Sequence, residues 1–191
     1  MRDPDGLSTD GLSTDGLSTD RLLLRAWRPE DRAPFAALNA SSEVMAHFPS
    51  TMTREQSDEL ADRFQAGIEE RGWGAWAVER KRDGVFLGYI GLVPVNFEAD
   101  FAPAVEIGWR LDRPHWGHGY ATEGAQAALD YAFSVLGLDR VVSFTACTNA
   151  RSEQVMVRLG MTRVGEFDHP RLPHGHRLRR HVLYEARRPG R

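Results

Sequence analysis

The stretch that decides the fold runs from residue 106 to residue 123 and reads Glu-Ile-Gly-Trp-Arg-Leu-Asp-Arg-Pro-His-Trp-Gly-His-Gly-Tyr-Ala-Thr-Glu. Alternating apolar residues over 105–111 predict a strand, and a helix is predicted from Ala121 to Val135. Gly117 and Gly119 lie between them and can adopt conformations closed to other residues, so that successive N–H groups converge at the helix N-terminus. The helix dipole adds partial positive charge there. The stretch therefore predicts an anion site suited to a diphosphate.

Two common nucleotide-binding motifs are absent from this stretch. A nucleoside-triphosphate loop needs Gly-Lys-Ser/Thr, and a dinucleotide fold needs Gly-x-Gly-x-x-Gly, whereas residues 117–122 are Gly-His-Gly-Tyr-Ala-Thr. Glycine pairs also precede many helices in ordinary tight turns. Taken alone, the stretch leaves that simpler interpretation open.

A second motif follows a buried strand predicted over residues 141–146. Asn149 ends this strand segment, and Ser152 lies three residues later on the first turn of a helix predicted over 150–159. Either side chain is a good helix cap, which is the structural alternative to a chemical role.

Together the two motifs resemble the GNAT superfamily of N-acetyltransferases. The family's Gln/Arg-x-x-Gly-x-Gly/Ala loop is matched by residues 116–121, except that Trp116 takes the first position. This variant of the loop, the Arg21–Arg25 run and the Asn149-x-x-Ser152 pair are similar to the RimJ/RimL-like branch. The resemblance covers residues 20–186 and implies an acyl-CoA N-acyltransferase fold with acetyl-CoA as cosubstrate.

The resemblance also implies where coenzyme A binds. Main-chain amides of the loop would hold the pyrophosphate, and the strand over 106–111, splayed from the strand over 141–146, would bond to pantetheine along its exposed edge. The implied cofactor-binding residues are Trp109, Arg110, Leu111, Gly117, His118, Gly119, Tyr120, Ala121, Thr122 and Asn149.

Acetyl transfer needs a neutral amine, a polarised thioester carbonyl and a proton for the departing thiolate. Glu106 is the hypothesised base, because alternation places it opposite Val105 and Ile107, near the expected splay. A solvated or arginine-paired glutamate is the alternative. By resemblance, Ser152 would protonate the thiolate and Asn149 would hold pantetheine or an ordered water, so the expected catalytic residues are Glu106, Ser152 and Asn149.

The remaining segments predict one mixed, mostly antiparallel sheet flanked by helices, an α/β fold. A strand is expected over 21–27, a helix opened by residues 30 and 31, and a longer helix between a Thr53–Gln56 capping box and Gly72. A hairpin over 73–80 and 85–95 surrounds Asp83-Gly84, and two strands end the chain. Three Asp-Gly-Leu-Ser-Thr copies predict a flexible tail over 1–20, before a transferase domain over 21–188.

Composition narrows the function classes. A chain of 191 residues with a net charge of −3 suits one domain and lacks the basic field of a nucleic-acid binder. No membrane span or signal peptide is evident, and the single cysteine, Cys147, can form no intrachain disulfide, so a cytoplasmic protein is expected. Cys147 is interpreted as a small buried hydrophobe.

The sequence alone does not identify the acceptor or the oligomeric state. The histidines lack a third ligand at a recognised spacing, so no metal is expected, and the loop from His169 to His176 is a hypothesis for the acceptor entrance. The acceptor is either a protein N-terminal α-amine or a small-molecule amine, and a non-catalytic acyl-CoA-binding module is the alternative function. The protein is expected to be a monomer or a homodimer.

Overall fold

A computed structural model describes residues 16–190, which form one eight-stranded sheet with helices on both faces. The spatial strand order is β1-β2-β3-β4-β5-β6-β8-β7, in which only β5 and β6 are parallel neighbours. The mixed, mostly antiparallel sheet predicted from the sequence is confirmed. The elements in chain order are β1 (Leu17–Ser18), β2 (Leu22–Arg25), α1 (Arg32–Ala40), α2 (Arg54–Arg71), β3 (Ala75–Arg80), β4 (Val85–Pro94), β5 (Val105–Leu111), α3 (Tyr120–Ser134), β6 (Arg140–Ala146), α4 (Ala150–Arg158), β7 (Thr162–Asp168) and β8 (Arg180–Arg187), with short 3-10 turns at Pro29–Asp31 and Arg113–His115.

The helix signals in the sequence mark the ends of α2 accurately. Thr53 accepts from the Gln56 N–H group, and the Gln56 side chain bonds back to the Thr53 N–H group at 2.9 Å. Gly72 ends the helix in the left-handed conformation, with φ of 79°. The helix predicted to open at residues 30 and 31 begins instead with the 3-10 turn and becomes α-helical at Arg32.

The N-terminal end of the sheet differs from the expected tail. Residues 1–15 lie outside the described residues, but Leu17 and Ser18, in the third repeat copy, pair antiparallel with β2. Gly16 permits this pairing, because a Cβ atom there would lie 1.9 Å from the Leu24 carbonyl oxygen. The Thr19 hydroxyl also donates to Glu123 of α3 at 2.5 Å. The sheet therefore begins before Arg21, through contacts that a polar repeat does not reveal.

The two faces of the sheet carry separate cores. Helix α3 packs on one face against residues such as Leu24, Ile90 and Ile107. It sits close to the sheet because Gly124 has no side chain, and a Cβ atom there would lie 2.5 Å from Ile90 Cδ1. Helices α1 and α2 cover the other face through an aromatic cluster that includes Tyr89. Among residues 16–190, no helix is long and apolar enough to cross a bilayer.

Candidate active site

A cleft opens between the two parallel strands at the centre of the sheet. Strands β5 and β6 share one register pair, Glu106 with Val142, and the Ser143 hydroxyl donates to the Ile107 carbonyl at 2.9 Å. Past this point the described strands form no further ladder pair, so they splay towards their carboxyl ends. The loop leading to α3 and the turn leading to α4 both follow those ends. Two helix N-termini therefore border one cleft.

Alternation along β5 decides which main-chain groups face the cleft. The N–H group of Asp112 donates to the Leu87 carbonyl on the β4 side at 2.8 Å, whereas the Ile107 carbonyl accepts from β6. Successive residues of a strand direct their N–H and C=O groups to opposite neighbouring strands. The main-chain groups of Trp109 and Leu111 therefore face the cleft, and those of Arg110 face β4.

This geometry separates the three β5 residues that the resemblance implies for cofactor binding. The main chain of Trp109 and the N–H group of Leu111 face the cleft. The Leu111 carbonyl already accepts the indole N–H of Trp116 at 2.7 Å. Arg110 offers the cleft neither its main chain nor its side chain, which is buried on the α1–α2 face against Asn39. The physical reason is the two-residue repeat of a strand, which separates neighbours in sequence.

The predicted phosphate loop has the expected backbone conformation. Gly117 and Gly119 have φ values of 78° and 80°, in the left-handed region that favours glycine. Helix α3 starts at Tyr120, and the first amide to bond within it is that of Glu123, which donates to the Gly119 carbonyl at 3.0 Å. The preceding amides, those of residues 120–122, are left for an anion.

An arginine outside the motif supports this loop. Nη1 of Arg21 donates to the His118 carbonyl at 3.0 Å, and the same side chain forms an ion pair with Glu123 at 2.6 Å. Its guanidinium also lies 4.7 Å from the centre of the Tyr120 ring. Arg21 therefore ties the loop to the first turn of α3 through its ion pair with Glu123. The sequence predicts Arg21 as the first residue of a strand, and no sequence signal indicates its contact with the loop.

Trp116 takes the place of the polar residue that starts the family's loop. Besides its bond to Leu111, its ring is approached by two guanidinium groups, those of Arg113 at 5.0 Å and Arg151 at 4.8 Å. The indole therefore anchors the loop to β5 and holds two cations beside the cleft. Arg151 lies on the first turn of α4 and was not predicted as a site residue.

Asn149 and Ser152 are joined in one hydrogen-bond network. Oδ1 of Asn149 accepts from the Ser152 N–H group at 3.3 Å and so caps α4, while Nδ2 donates to the Ser152 hydroxyl oxygen at 3.0 Å and to Thr145 Oγ1 at 2.9 Å. Both N–H groups of the amide are thus used inside the protein. Asn149 therefore positions Ser152, and its expected contact with pantetheine or an ordered water remains a prediction.

Glu106 lies beside the closed end of the cleft, on the face opposite to the core residues Val105 and Ile107, as alternation predicts. The residue is partly exposed, but desolvation by the surrounding protein raises the pKa of its carboxyl group to about 8. Among residues 16–190 it forms no ion pair and no side-chain hydrogen bond. The arginine-paired alternative therefore does not hold.

Comparison with known proteins agrees with this geometry. A sequence model described as Acetyltransferase (GNAT) domain matches residues 21–162. The chain belongs to the GNAT family of acetyltransferases. It is 34% identical over 142 residues to the uncharacterized protein YkkB of Bacillus subtilis, covering 74% of this chain and 81% of that one. It is 27% identical over 146 residues to spermidine N(1)-acetyltransferase of Escherichia coli, covering 76% and 75%. A crystal structure of a GNAT-family acetyltransferase from Bacillus anthracis matches with a TM-score of 0.75 and 25% identity, covering 90% of this chain and 98% of that one.

Membership of the GNAT family makes the protein an acetyl-CoA-dependent N-acetyltransferase. The segment between α1 and α2 contacts two other loops of the enzyme. The segment between α1 and α2 reaches the turn before α4, where His47 Nδ1 lies 3.3 Å from Thr148 Oγ1. Arg177, in the loop between β7 and β8, donates to the Ala46 carbonyl at 3.1 Å.

Two histidines of this GNAT enzyme, His169 and His181, lie within an aromatic cluster. His169 packs into a cluster of rings, 4.8 Å from Phe97 and 5.0 Å from His181. Burial lowers the pKa of His169 to about 4, so its ring is neutral at physiological pH. Among residues 16–190, no group of three or more histidine, cysteine or acidic side chains is arranged to hold a metal ion. Cys147 is exposed, which corrects its interpretation as a buried hydrophobe, because it follows the last paired residue of β6.

Proposed function

We propose that this GNAT enzyme transfers the acetyl group directly to a primary amine, with Glu106 as general base and Ser152 as general acid. The observation that carries the proposal is the unpaired Glu106 carboxyl group beside the closed end of the β5–β6 cleft, with its pKa raised to about 8. A base is most useful when its pKa lies near the working pH. Burial provides that match here.

Acetyl-CoA would occupy the cleft with its pyrophosphate at the N-terminus of α3. The main-chain amides of residues 118–122 are the proposed ligands, beside the Arg21–Glu123 ion pair. Pantetheine would bond to the main chain of Trp109 and to the N–H group of Leu111. The proposed coenzyme A site therefore consists of the loop before α3 and the cleft edge of β5, and it leaves out Arg110.

The proposed chemistry needs two proton transfers. The amine nitrogen attacks the thioester carbonyl carbon while Glu106 takes a proton from the amine, directly or through water. The carbon–sulfur bond then breaks, and the Ser152 hydroxyl gives its proton to the thiolate. The serine oxygen regains a proton from Glu106 through solvent, which restores both groups. Because Asn149 donates to the Ser152 oxygen, the hydroxyl hydrogen is free to point elsewhere. Asn149 is therefore a positioning residue in this mechanism.

The pKa of Glu106 favours an amine that is easily deprotonated. An α-amine titrates at roughly 7.7–8.0, so proton transfer to Glu106 is nearly isoenergetic, whereas an alkylamine like that of lysine, at about 10.4, costs about 3 kcal/mol more. This difference supports α-amines, the acceptors that the RimJ/RimL-like resemblance implies. Both protein N-termini and small molecules carry such amines.

The pH dependence of turnover tests the assignment of Glu106. Ionisation of Glu106 with a pKa of about 8 predicts that the ratio of native to Glu106→Gln kcat/KM rises about tenfold between pH 7 and pH 9, because deprotonation of the acceptor amine affects both proteins and cancels in the ratio. Glu166→Gln is the matched control, because Glu166 lies on β7 and pairs with Arg163 and Arg180. Acetyl-CoA affinity, followed by calorimetry, should be the same in all three proteins.

Two results would contradict the proposal. Unchanged turnover and an unchanged pH profile in Glu106→Gln would remove Glu106 from the mechanism. Acetyl-CoA binding by the native protein without turnover on any amine, whether a peptide N-terminus or a small molecule, would instead indicate a non-catalytic binding module.

A further inference from the structure

Arg110 is a buried cation without an anionic partner in the described chain. Its residue surface is 7% exposed, and Nη1 donates to Asn39 Oδ1 at 2.6 Å. Nε is buried and has no acceptor. Among residues 16–190, no carboxylate forms an ion pair with this guanidinium, in contrast to Arg25, which is similarly buried and pairs with Asp31 and Glu79.

The surroundings of Arg110 compensate only part of its charge. The guanidinium lies 4.0 Å from the centre of the Phe48 ring and 5.5 Å from that of Tyr89, both within the range of cation–π attraction. Asn39 supplies one neutral acceptor and is itself held by Ser57 at 2.9 Å. A buried guanidinium normally requires a carboxylate as well, because its desolvation is costly. The Nε donor of Arg110 is therefore left without an acceptor in the described chain.

Arg110 and Glu106 lie on the same face of β5 with no side chain between them. Even-numbered residues of the strand share this face, and the one between the two charged residues is Gly108. A Cβ atom at Gly108 would meet one atom within 4 Å, Oε1 of Glu106 at 3.9 Å. Both charged groups act on Tyr89: burial raises the pKa of its phenol, Arg110 lowers it and Glu106 raises it. Base and cation thus border one space over Gly108.

The sign of the charge in this space selects among amines. Below pH 8 the Glu106 carboxyl group is mostly neutral, so the guanidinium of Arg110 is the formal charge that an acceptor meets on this stretch of β5. A polyamine would bring further positive charges towards it and would be repelled. An acceptor with a negative group would instead complete the missing ion pair.

We propose that Arg110 binds a carboxylate of the acceptor, so that the substrate class is a primary amine that also carries a carboxylate. This inference rests on the acetyl transfer proposed above. The carboxylate can belong to an amino acid or short peptide, or to an acidic side chain beside a protein N-terminus. Polyamines such as spermidine fall outside the class.

Matched acceptor pairs provide the test. Amino acids and dipeptides are compared with their C-terminal amides. Peptides with Asp or Glu as the second residue are compared with the same peptides carrying Asn or Gln there. Spermidine is included as a polyamine. Thiol release from acetyl-CoA gives kcat/KM for each. We expect carboxylates to be preferred at least tenfold over their neutral partners. The pair that shows the preference identifies the source of the carboxylate.

Substitution of Arg110 assigns the preference to this residue. Arg110→Gln should reduce the preference ratio to near one, and Arg110→Lys should retain part of it, because a lysine keeps the charge but not the fork. A purely structural role would lower kcat/KM for carboxylate and amide alike and leave their ratio unchanged. Arg32→Gln is the control for loss of one positive charge, since Arg32 lies at the start of α1 and pairs with Asp62.

The outcomes separate this inference from the proposed mechanism. Equal or better turnover of amides or spermidine by the native enzyme overturns the carboxylate assignment and leaves acetyl transfer intact. A preference that survives in Arg110→Gln also overturns it. Failure to acetylate any amine, with acetyl-CoA bound, counts against both.

Discussion

The free energy of unfolding of the Glu106→Gln variant should increase, relative to that of the native protein, as the pH rises. The ordinary pKa of a glutamate is 4.5, and in the folded protein that of Glu106 is raised to about 8 by burial. Between these values the folded protein holds a proton that the unfolded chain has released. The stability that Glu106 contributes is therefore fully present below pH 4.5 and is lost as the pH rises towards 8.

The magnitude follows from proton linkage. One proton of difference changes the free energy of unfolding by about 1.4 kcal/mol per pH unit, so the native protein should lose about 3 kcal/mol relative to Glu106→Gln between pH 5 and pH 7. This is an upper value, because solvent reaches the exposed part of the side chain. Other titrating groups are common to both proteins and cancel in the difference.

Urea unfolding at pH 5, 6 and 7 measures the effect, with the free energy extrapolated linearly to zero denaturant. A constant offset between the two proteins reflects any new contact of the amide and carries no information on titration. The slope of the difference against pH is the decisive quantity. If the two curves stay parallel within about 0.5 kcal/mol, Glu106 is solvated in the folded state, and its proposed role as a tuned base loses its physical basis.

Three further predictions concern the cleft. Ser152→Ala should lower kcat about 100-fold with little change in KM, because an oriented proton donor acts at the thiolate and not in binding. Steady-state kinetics at saturating acetyl-CoA measures this effect. A variant with the same kinetics as the native enzyme would exclude the role of Ser152. Asn149→Ala should destabilise the protein by about 1 kcal/mol in urea unfolding, through loss of the α4 cap, and should also lower kcat in the same kinetic assay. A loss of stability with unchanged kcat would limit Asn149 to capping. Gly119→Ala should weaken acetyl-CoA binding in calorimetry, since φ of 80° costs a side chain about 1–2 kcal/mol and the loop must relax; unchanged affinity would place the pyrophosphate elsewhere.

The local elements were determined by the sequence itself. The Thr53 capping box and Gly72 set the ends of α2, and the glycines of residues 117–119 set the turn before α3, because caps and left-handed turns depend on a few neighbouring residues. Alternation along β5 correctly placed Glu106 opposite Val105 and Ile107. These signals are short in range and need no knowledge of the rest of the chain.

Only the tertiary structure decided what each functional group meets. Arg110 follows Trp109 in a motif that resembles a cofactor strand, yet its side chain is buried near Asn39, 71 residues away in sequence. Arg21 reaches His118 across 97 residues. Such partners follow from strand order and register, and the sequence contains no local signal for either. The raised pKa of Glu106 has the same origin, since desolvation arises from elements packed around the carboxyl group and not from its neighbours in the chain.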